Sequence, residues 1–388
     1  MKRIMILITD AGGGHRASAT ALRDAFVLRY GERFQIDIVD LWQKHTPTPL
    51  NRLPRAYRFM VNDVPHLYEF LFKSFERPQV NDAVMNAVYR WVKKPVSQAI
   101  RAYAPDLVIS VHALMQDVPL RVLKRMGLRI PFVTVVTDLA TIHPTWLNPG
   151  VTLCFVPNAE AYRQAMEAGL RPEQVRQYGL PVRPAFAEQL RPKPELRREL
   201  GLHPDLPAVL VVGGGEGTGP VGKIAQALSA RLADAAPDGR PAGQMVVICG
   251  RNRALYRKLS ERSWPIPVVV NGFVENMPEW MAASDCIVTK AGPGTIAEAL
   301  ISSLPMVLSG YIAGQEAGNA AYVLKHGVGT YSENPAEIAE IVARWFGPER
   351  EELARMSARA REMGRPQSTF HIVEEIAALL GVEKPGAG

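Results

Sequence analysis

The sequence predicts an α/β protein built from two consecutive domains, each with a doubly wound parallel sheet. Short runs rich in β-branched residues alternate with helical patterns along most of the chain, which is typical of βαβ units. The alternation is interrupted near residues 178–207, where proline and charged residues dominate. A chain of 388 residues is also too long for one ordinary hydrophobic core.

Apolar runs mark the strands of the first domain, and helical patterns follow them. Helices are expected from about Ala17, over Val118–Met126 and over Ala159–Ala168. The strand segments are RIMILIT, FQIDIVDL, DLVISVH, PFVTVVTD and TLCFVPN.

The second domain repeats this order, with a helix expected from about Val221. We therefore predict a first domain over residues 1–185, a linker over 186–206 and a second domain over 207–366. A last helical pattern, within residues 367–388, is expected to pack back on the first domain. The strand segments of the second domain are AVLVVGGG, QMVVICG, IPVVVNGF, DCIVTK and PMVLSG.

Composition and charge exclude several function classes. The net charge of +7 is a modest basic excess, which suits an anionic ligand or a membrane surface better than a dedicated nucleic-acid binder. No apolar stretch approaches the ~18–20 residues that a membrane-spanning helix needs. The three cysteines lie in apolar strands without metal-ligand spacing, so we expect buried thiols.

Two glycine-rich loops in the second domain indicate a phosphate-binding site. The segment LVVGGGEGTGPVG contains Gly213, Gly214 and Gly215 between a strand and a helix, where backbone N–H groups can approach a diphosphate. Alone, this segment is compatible with a plain tight turn. Its GTGPVG also matches a dinucleotide fingerprint, but the next strand ends in CGRN without the usual ribose acid.

The second loop, TKAGPGTIAEAL, is more specific because it repeats the strand-glycine-helix arrangement in the same domain. Pro293 is expected just ahead of the helix and Thr295 as its cap. Lys290 is placed to reach a phosphate, and Glu298 to accept hydrogen bonds from a ribose diol. The alternative is a capped structural helix with Glu298 as its capping-box acid. The candidate phosphate-binding residues of this loop are Gly292, Pro293, Gly294 and Thr295.

A polar group in an otherwise apolar, glycine-spaced loop is the candidate sugar site. Gln315, Glu316 and Asn319 lie together in GYIAGQEAGNAAYV, and such side chains suit bidentate hydrogen bonds to sugar hydroxyls. An ordinary polar loop is the alternative. No D-x-D pair, H-E-x-x-H motif or His/Cys cluster is present, so we expect no metal and no other cofactor.

The first domain begins with an ambiguous loop, DAGGGHRASA. Its glycines suggest a phosphate cradle, whereas His15 at the helix start suggests proton chemistry. Asp138 and His143 follow another apolar strand, at the sheet edge where α/β proteins place ligands. A turn cap for Asp138 and a structural role for His143 are the alternatives.

The segment from Trp42 to Arg101 is basic and rich in aromatic residues. It holds ten Lys/Arg, four Asp/Glu and nine aromatic residues, and so carries +6 of the net charge of +7. This composition suits the headgroup zone of an anionic membrane. The alternative is an ordinary amphipathic helix packed on the first domain.

These motifs together resemble the monogalactosyldiacylglycerol synthases. The resemblance extends in order from about Arg3 to Ile376. HPTW and GYIAGQEAGN are similar to the galactosyl, plant-like branch rather than to the bacterial diacylglycerol glucosyltransferases. The matching segments are GGGHRASA, DLW, HTP, LPRAY, ISVHALMQDVPLRVL, TDLATIHPTW, YGLPVRP, GGGEGTGP, VICGRN, KAGPGTIAEA and GYIAGQEAGN.

The resemblance implies a GT-B glycosyltransferase fold, with two Rossmann-like domains facing a cleft. It implies inverting transfer of galactose from UDP-galactose to the free hydroxyl of 1,2-diacylglycerol, which gives a β-linked product and UDP. Such a transfer needs a base for the hydroxyl proton and no covalent intermediate. His15 is the expected base, kept neutral by the positive end of its helix, with Asp138 orienting it. The rival assignment has His15 bonding the donor phosphate and Asp138 as the base.

With this resemblance, contacts to the uracil, the acceptor and the lipid can be assigned to individual residues. Arg251, Phe273 and Val274 are expected to flank the uracil. Gly12–Gly14 are expected to keep the acceptor approach free of side chains, and the lipid is expected to enter near Pro54. Further candidate acceptor or lipid contacts are Gly13, Gly14, Arg52, Arg55, Arg58, His143 and Trp146.

Other functions remain open at the level of sequence. They are a glucosyltransferase that uses UDP-glucose, a UDP-sugar epimerase of the same fold, and a non-catalytic protein that binds anionic lipids. We expect a peripheral protein of bacterial origin on the cytoplasmic face of the membrane. Its expected partners are UDP-galactose, diacylglycerol and anionic lipids, with no nucleic acid and no transmembrane span.

Overall fold

The computed structural model describes residues 1–10, 13–140, 142–234 and 240–384, which form two compact units. The first unit contains residues 1–184, 313–315 and those from 365 onward. The second contains Ala185–Ile312 and Glu316–Gly364. Each unit has the α/β architecture that the alternating strand and helix patterns predict.

The first unit is built on a six-stranded parallel sheet in the order β2-β1-β3-β4-β5-β6. Strand β1, second from one edge, pairs with β2 and β3 on its two sides, so that Ile4 lies opposite both Ile36 and Leu107. Most residues of the inner strands are buried, as expected for a parallel sheet covered on both faces. The strands are β1 (Lys2–Ile8), β2 (Phe34–Asp40), β3 (Leu107–Ser110), β4 (Phe132–Val135), β5 (Leu153–Val156) and β6 (Val175–Gln177).

Helices cover both faces of this sheet. The first begins at Gly13, four residues before the expected start at Ala17, so His15 lies in its first turn. The long helix α5 packs Val92, Val96 and Ile100 into the core beneath it. The helices are α1 (Gly13–Tyr30), α2 (Leu41–His45), α3 (Leu53–Asp63), α4 (Pro65–Phe75), α5 (Pro78–Tyr103), α6 (Asp117–Arg125) and α7 (Ala159–Glu167).

The second unit repeats the plan with a parallel sheet in the order β12-β11-β10-β7-β8-β9. Its strands are β7 (Ala208–Val212), β8 (Gln244–Ile248), β9 (Val268–Asn271), β10 (Cys286–Thr289), β11 (Met306–Leu308) and β12 (Gly329–Tyr331). Its helices are α8 (Lys193–Glu199), α9 (Val221–Asp234), α10 (Arg253–Ser260), α11 (Met277–Ala283), α12 (Pro293–Ile301), α13 (Ala317–Lys325), α14 (Pro335–Phe346) and α15 (Arg350–Met363).

The segment that the sequence suggests as a linker, residues 186–206, folds with the second unit. Its helix α8 packs on α11, and the buried Arg197 holds the two together. The Arg197 guanidinium donates to the carbonyl of Ala283 at 2.9 Å and to the Asp285 carboxylate at 2.5 Å. The high charge of this segment therefore forms an internal ion pair rather than a solvated connection.

The chain returns to the first unit in a last helix, α16 (Ser368–Leu379). Ile372, Val373 and Ile376 are fully buried in the same apolar cluster as α1 and the first sheet. The Thr369 hydroxyl donates to the carbonyl of Val182 at 2.6 Å, which secures the helix N-terminus. Residues from both ends of the described chain thus share one core.

The strand orders define one topological switch point in each sheet. In the first sheet, β2 and β3 lie on opposite sides of β1. The loops that leave the carboxyl ends of β1 and β3 therefore run in opposite directions. In the second, the loops after β7 and β10 do the same. Ligands of open α/β sheets bind at such points, and the candidate residues of both units follow these strands.

The basic aromatic segment is only partly on the surface. Trp42 is buried in the core and therefore contributes nothing to an exposed aromatic surface. Phe59 and Phe70, on α3 and α4, are 58% and 67% exposed, and Trp91 on α5 is 48% exposed. Among the described residues, no helix combines the length and hydropathy needed to cross a membrane.

Candidate functional site

His15 occupies the switch point of the first sheet. Its Nδ1 lies 2.9 Å from the carbonyl oxygen of Val111, directly after β3, and 3.0 Å from the Thr137 hydroxyl, after β4. A carbonyl oxygen only accepts, so Nδ1 carries the proton and Nε2 keeps its lone pair in the neutral ring. Burial lowers the pKa of His15 to about 4. The neutral state that the sequence predicts is thus supported, although burial rather than the helix end is its main cause.

Asp138 and Trp146 form a buried pair beside this histidine. The Trp146 indole N–H donates to Asp138 Oδ2 at 2.6 Å, and its ring lies 6.2 Å from the His15 ring, centre to centre. Trp146 is 1% exposed, so its place here is in the wall behind His15. The acceptor contact assigned to Trp146 and the orienting role of Asp138 stay predictions.

His143, another candidate acceptor contact, is buried among its neighbours. Its Nδ1 accepts the backbone N–H of Thr145, and Nε2 donates to the carbonyl of Phe72 on α4 at 3.3 Å. Burial lowers its pKa. These contacts agree with the structural alternative, because Nδ1 bonds within the loop after β4 and Nε2 connects that loop to helix α4.

Gly13 and Gly14 lie on the open side of the first turn of α1. Apart from chain neighbours and the backbone of α1 itself, a Cβ added to either would meet no atom of the described residues within 4 Å. Space at these positions is therefore not needed for packing inside the protein, which agrees with an approach kept free for a ligand. Gly12, the remaining glycine of this group, lies outside the described residues.

The sequence reasoning missed a second histidine at this switch point. His112 directly follows β3, is 8% exposed, and places its ring 4.3 Å from that of His15. Burial and the neighbouring His15 hold the pKa of His112 well below its usual value. Its position at the carboxyl end of β3 could be read from the sequence, but its closeness to His15 depends on the pairing of β3 with β1.

In the second unit, the loop after β7 is shaped by glycines that admit no side chain. Gly214 has a φ of +70°, and Gly217 a φ of +63°. A Cβ on Gly213 would lie 2.6 Å from the carbonyl oxygen of Thr218. A Cβ on Gly214 would instead lie 3.8 Å from Lys290 Cε, in the space between the loops after β7 and β10. The two glycine loops predicted to share a ligand do approach each other.

The loop after β10 differs from its prediction at the helix start. Helix α12 begins at Pro293 itself, and Gly292 is the N-cap, without a side-chain capping bond. The expectation that Thr295 caps the helix is therefore wrong, because Thr295 is the third helical residue. Its N–H and that of Gly294 belong to the first turn, which has no intrahelical acceptor for them. They remain available to an anion.

The predicted uracil residues lie together at the next loops. The Arg251 guanidinium lies over the Phe273 ring at 4.7 Å, and its Nη1 bonds Glu216 at 2.9 Å. Phe273 is 55% exposed, and Val274 is half-buried beside it. A Cβ on Gly215 would lie 3.9 Å from Arg251 Nη1, so this cluster adjoins the first glycine loop.

The sugar candidates are held by specific contacts. Glu316 is 4% exposed and accepts from Lys290 Nζ at 2.8 Å and from the backbone N–H of Ile312 at 2.9 Å. The buried Asn319 donates to the carbonyl of Ala291 at 2.9 Å, which joins α13 to the second glycine loop. Glu298, half-buried on α12, lies two turns beyond Gly292.

Gln315 belongs to the short stretch 313–315 that groups with the first unit. Its Oε1 accepts from the hydroxyls of Tyr57 at 2.7 Å and Tyr68 at 3.1 Å. Two phenolic donors thus orient this amide. A contact between Gln315 and a sugar stays a prediction.

The remaining lipid candidates lie at the start of α3. Arg52 and Arg55 are exposed, whereas Pro54 is buried at the beginning of the helix. The side chain of Arg58 lies outside the described residues. The exposed arginines are near the apolar Phe59, which produces a mixed basic and aromatic surface.

Comparisons with known proteins match the whole chain. The family model of monogalactosyldiacylglycerol (MGDG) synthase matches residues 15–182, and that of the glycosyltransferase family 28 C-terminal domain matches residues 208–366. The chloroplastic monogalactosyldiacylglycerol synthase of Spinacia oleracea is 50% identical over 98% of this chain and 73% of that protein. The chloroplastic monogalactosyldiacylglycerol synthase 1 of Arabidopsis thaliana is 49% identical over 98% of this chain and 71% of that protein.

Solved structures show the fold class. MurG of Acinetobacter baumannii aligns with a TM-score of 0.60 at 16% identity, covering 97% of this chain and 100% of that one. The calicheamicin glycosyltransferase CalG4 aligns with a TM-score of 0.59 at 16% identity, covering 100% of both. These alignments, together with the two parallel sheets, establish a GT-B glycosyltransferase fold.

Proposed function

The chain belongs to the monogalactosyldiacylglycerol synthase family, and we propose on this basis that it transfers galactose from UDP-galactose to the free hydroxyl of 1,2-diacylglycerol. The products are β-linked monogalactosyldiacylglycerol and UDP. The observation that carries this proposal is the 50% identity to the spinach enzyme over 98% of the chain. The alternative of an epimerase with the same fold has no comparable support. The solved structures of MurG and CalG4 are only 16% identical to this chain and show the fold alone.

His15 is the proposed base. An inverting transfer needs a group that takes the acceptor proton while the hydroxyl attacks the anomeric carbon. The bond from Nδ1 to Val111 leaves the Nε2 lone pair for this proton. The imidazolium that forms would share its charge with the Val111 carbonyl and the Thr137 hydroxyl.

The second unit is the proposed donor site. The free N–H groups of Gly294 and Thr295 and the positive end of α12 suit the diphosphate. Lys290, next to Gly214, can add its charge as the UDP leaves. Glu298 is proposed to bond the ribose, and the Arg251–Phe273 pair to stack on the uracil.

The galactose is proposed to meet Gln315, Glu316 and Asn319. The buried Glu316 keeps one oxygen on Lys290 and the other on Ile312, so its orientation is set before the sugar arrives. A rigid carboxylate can discriminate between hydroxyl configurations, because a misplaced hydroxyl does not reach the lone pairs that Lys290 and Ile312 leave unused. This arrangement supports selection of galactose over glucose.

Transfer is proposed to need no metal. Within the described residues, no group of three or more His, Cys, Asp or Glu side chains could hold a metal ion. The charge of the leaving diphosphate would instead be met by Lys290 and the helix N-terminus. Adding EDTA to the assay should leave the rate unchanged, and a loss that Mg²⁺ restores would contradict this proposal.

The surface formed by α3, α4 and their preceding turn is proposed to bind an anionic membrane. Arg52 and Arg55 supply positive charge, and Phe59 and Phe70 supply exposed apolar surface. This would bring the site to a water-insoluble acceptor. The cytoplasmic membrane face stays a prediction, whereas the spinach relative is named as chloroplastic.

The proposed function is tested by supplying diacylglycerol with either UDP-galactose or UDP-glucose. We expect a lipid product one hexose heavier with UDP-galactose, and a β anomeric signal in its NMR spectrum. Preferential transfer of glucose would replace the donor assignment. Conversion of UDP-galactose without any glycolipid would overturn the function.

A further inference from the structure

We propose that His112 is a second substrate-contacting residue, whose Nε2–H donates a hydrogen bond to the acceptor oxygen that His15 deprotonates. The inference rests on the proposed function, because it names a further contact for that acceptor. It begins from the 4.3 Å separation of the two imidazole rings. One ligand oxygen can lie within hydrogen-bond reach of two rings this close.

The protonated nitrogen of His112 follows from its backbone contact. Its Nδ1 accepts the N–H of Leu114 at 3.1 Å, so Nδ1 carries no proton. The neutral ring then carries its proton on Nε2. Burial and the nearby His15 favour this neutral form, because both disfavour a positive charge on His112.

His15 has the opposite arrangement. Its Nδ1 donates to Val111, and its Nε2 accepts. The switch point therefore presents one imidazole donor and one imidazole acceptor. An alcohol oxygen matches this pair, since a hydroxyl donates one hydrogen bond and accepts up to two.

Neither Nε2 has a hydrogen-bond partner in the part of the protein that the structure describes. Among the described residues, no side chain or backbone group hydrogen-bonds Nε2 of His15 or of His112. Both Nε2 atoms are also partly accessible to solvent, because neither is among the described polar atoms that are fully buried and lack a hydrogen-bond partner. A donor that is nearly buried yet unused is available for a ligand.

The backbone of His112 is held by a buried polar network. Gln116 donates to the His112 carbonyl at 3.3 Å and to the Ser110 hydroxyl at 2.9 Å. The Thr134 hydroxyl on β4 donates to Gln116 Oε1 at 2.7 Å. The ring is therefore positioned before a substrate binds, as a contact to a reacting oxygen requires.

Two substitutions separate the substrate contact from the structural one. His112→Asn keeps an acceptor near the Nδ1 position for Leu114 and removes the Nε2 donor. His112→Gln loses that acceptor but places an amide N–H near the Nε2 position. We expect His112→Asn to lower kcat/KM for diacylglycerol ~10- to 100-fold, and His112→Gln to retain at least about a third of the wild-type value.

Both variants should bind UDP as the wild type does, because the donor residues lie in the second unit. The opposite order, with His112→Asn active and His112→Gln inactive, would show that the Leu114 contact matters and would overturn the proposal. Wild-type activity in both variants would overturn it as well. If the wild type makes no glycolipid, the proposed function fails instead.

A measurement on the wild type avoids any folding defect of the variants. In protein labelled with ¹⁵N-histidine, the two rings should show opposite tautomers. A short-chain diacylglycerol should then shift the protonated Nε2 signal of His112. The same tautomer for both rings, or an unshifted His112 signal at saturating diacylglycerol, would overturn the proposal.

Discussion

The chemistry open to His15 depends on which of its two nitrogens carries the proton. A carbonyl at 2.9 Å decides this, because Val111 can only accept. The residue that supplies the carbonyl lies 96 positions away in sequence, directly after β3. Sequence analysis could therefore select the histidine but not its tautomer, which depends on the parallel pairing of β1 with β3.

Replacing His15 should impair chemistry rather than donor binding. We expect His15→Ala to lower kcat by ~10²–10⁴, the usual contribution of a general base. UDP affinity, measured by calorimetry, should stay unchanged. His203→Ala is a matched control, since His203 is exposed in the second unit. If His15→Ala instead weakened UDP binding and kept its kcat at saturating donor, the phosphate role would be correct.

The low pKa of His15 predicts activity in mild acid. With a pKa of about 4, nearly all of the histidine is still neutral at pH 5.5. A histidine with the ordinary pKa of about 6.5 would be only ~10% neutral there. We expect kcat/KM to fall less than about twofold between pH 7.5 and 5.5. An acid limb centred near pH 6.5 would contradict this expectation.

The same shift has a stability consequence with a definite sign. Between pH 6.5 and about 4, the unfolded chain takes up a proton on His15 that the native ring does not. The free energy of unfolding should therefore decrease as the pH falls through this window. Circular dichroism at pH 5.5 is the necessary control for the kinetic measurement.

At the scale of elements, glycines in the two glycine-rich loops of the second unit have different physical roles. A Cβ on Gly217, which has a φ of +63°, would lie 1.9 Å from the carbonyl oxygen of Cys249. A Cβ on Gly294, in the first turn of α12, would meet no atom within 4 Å. The first glycine is required by the fold, and the second is required only if a ligand approaches it.

This difference gives a paired prediction. Gly217→Ala should destabilise the protein by at least ~2 kcal/mol, through backbone strain and the clash with Cys249. Gly294→Ala should leave the Tm unchanged or slightly higher, because alanine is the better helix former. Its UDP affinity should nevertheless fall about tenfold. Unchanged UDP affinity in Gly294→Ala would remove this turn from the donor site.

The buried ion pair of α8 gives a prediction about the second unit. Arg197→Ala should cost ~2–4 kcal/mol of unfolding free energy, because Asp285 and two carbonyls lose their shared donor. Arg198→Ala, one residue further on the exposed face, should cost less than about 0.5 kcal/mol. Calorimetric scans compare the two, and equal effects would contradict the anchoring role of Arg197.

Strand positions could be predicted from sequence more securely than helix starts. Apolar runs such as LVIS and FVTV are long enough to indicate buried strands by themselves. The start of α12 was misplaced because proline fits both before a helix and at its first position, and Thr295 resembles a cap wherever it stands. Local preference does not decide between such adjacent registers.

At the scale of the whole molecule, the two-part organisation was visible in the repeated strand order. That residues 186–206 fold with the second unit was not visible in the sequence. Proline and charge indicate exposure, whereas Arg197 becomes buried through a partner 88 residues away. His112 was missed for a similar reason. Its neighbour His15 is distant in sequence, and a lone histidine after a strand gives no sign of a second imidazole.

Membrane binding is the prediction that belongs to this scale. Neutralising Arg52 and Arg55 to glutamine should weaken co-sedimentation with phosphatidylglycerol vesicles roughly 30-fold, at ~1 kcal/mol for each charge near the surface. Binding should also weaken as salt rises. Neutralising the exposed Arg257 and Lys258 on α10 is the matched control. Equal effects of both pairs would show that net charge alone drives binding.

The return of α16 to the first unit has a consequence for biosynthesis. Ile372, Val373 and Ile376 complete a core whose other members, such as Ile4 and Phe26, are synthesised long before them. The first unit must therefore wait for the synthesis of α16, while the second unit, continuous apart from residues 313–315, can fold earlier. During that interval the apolar face of α1 and its sheet would be uncovered, and chaperones could bind it.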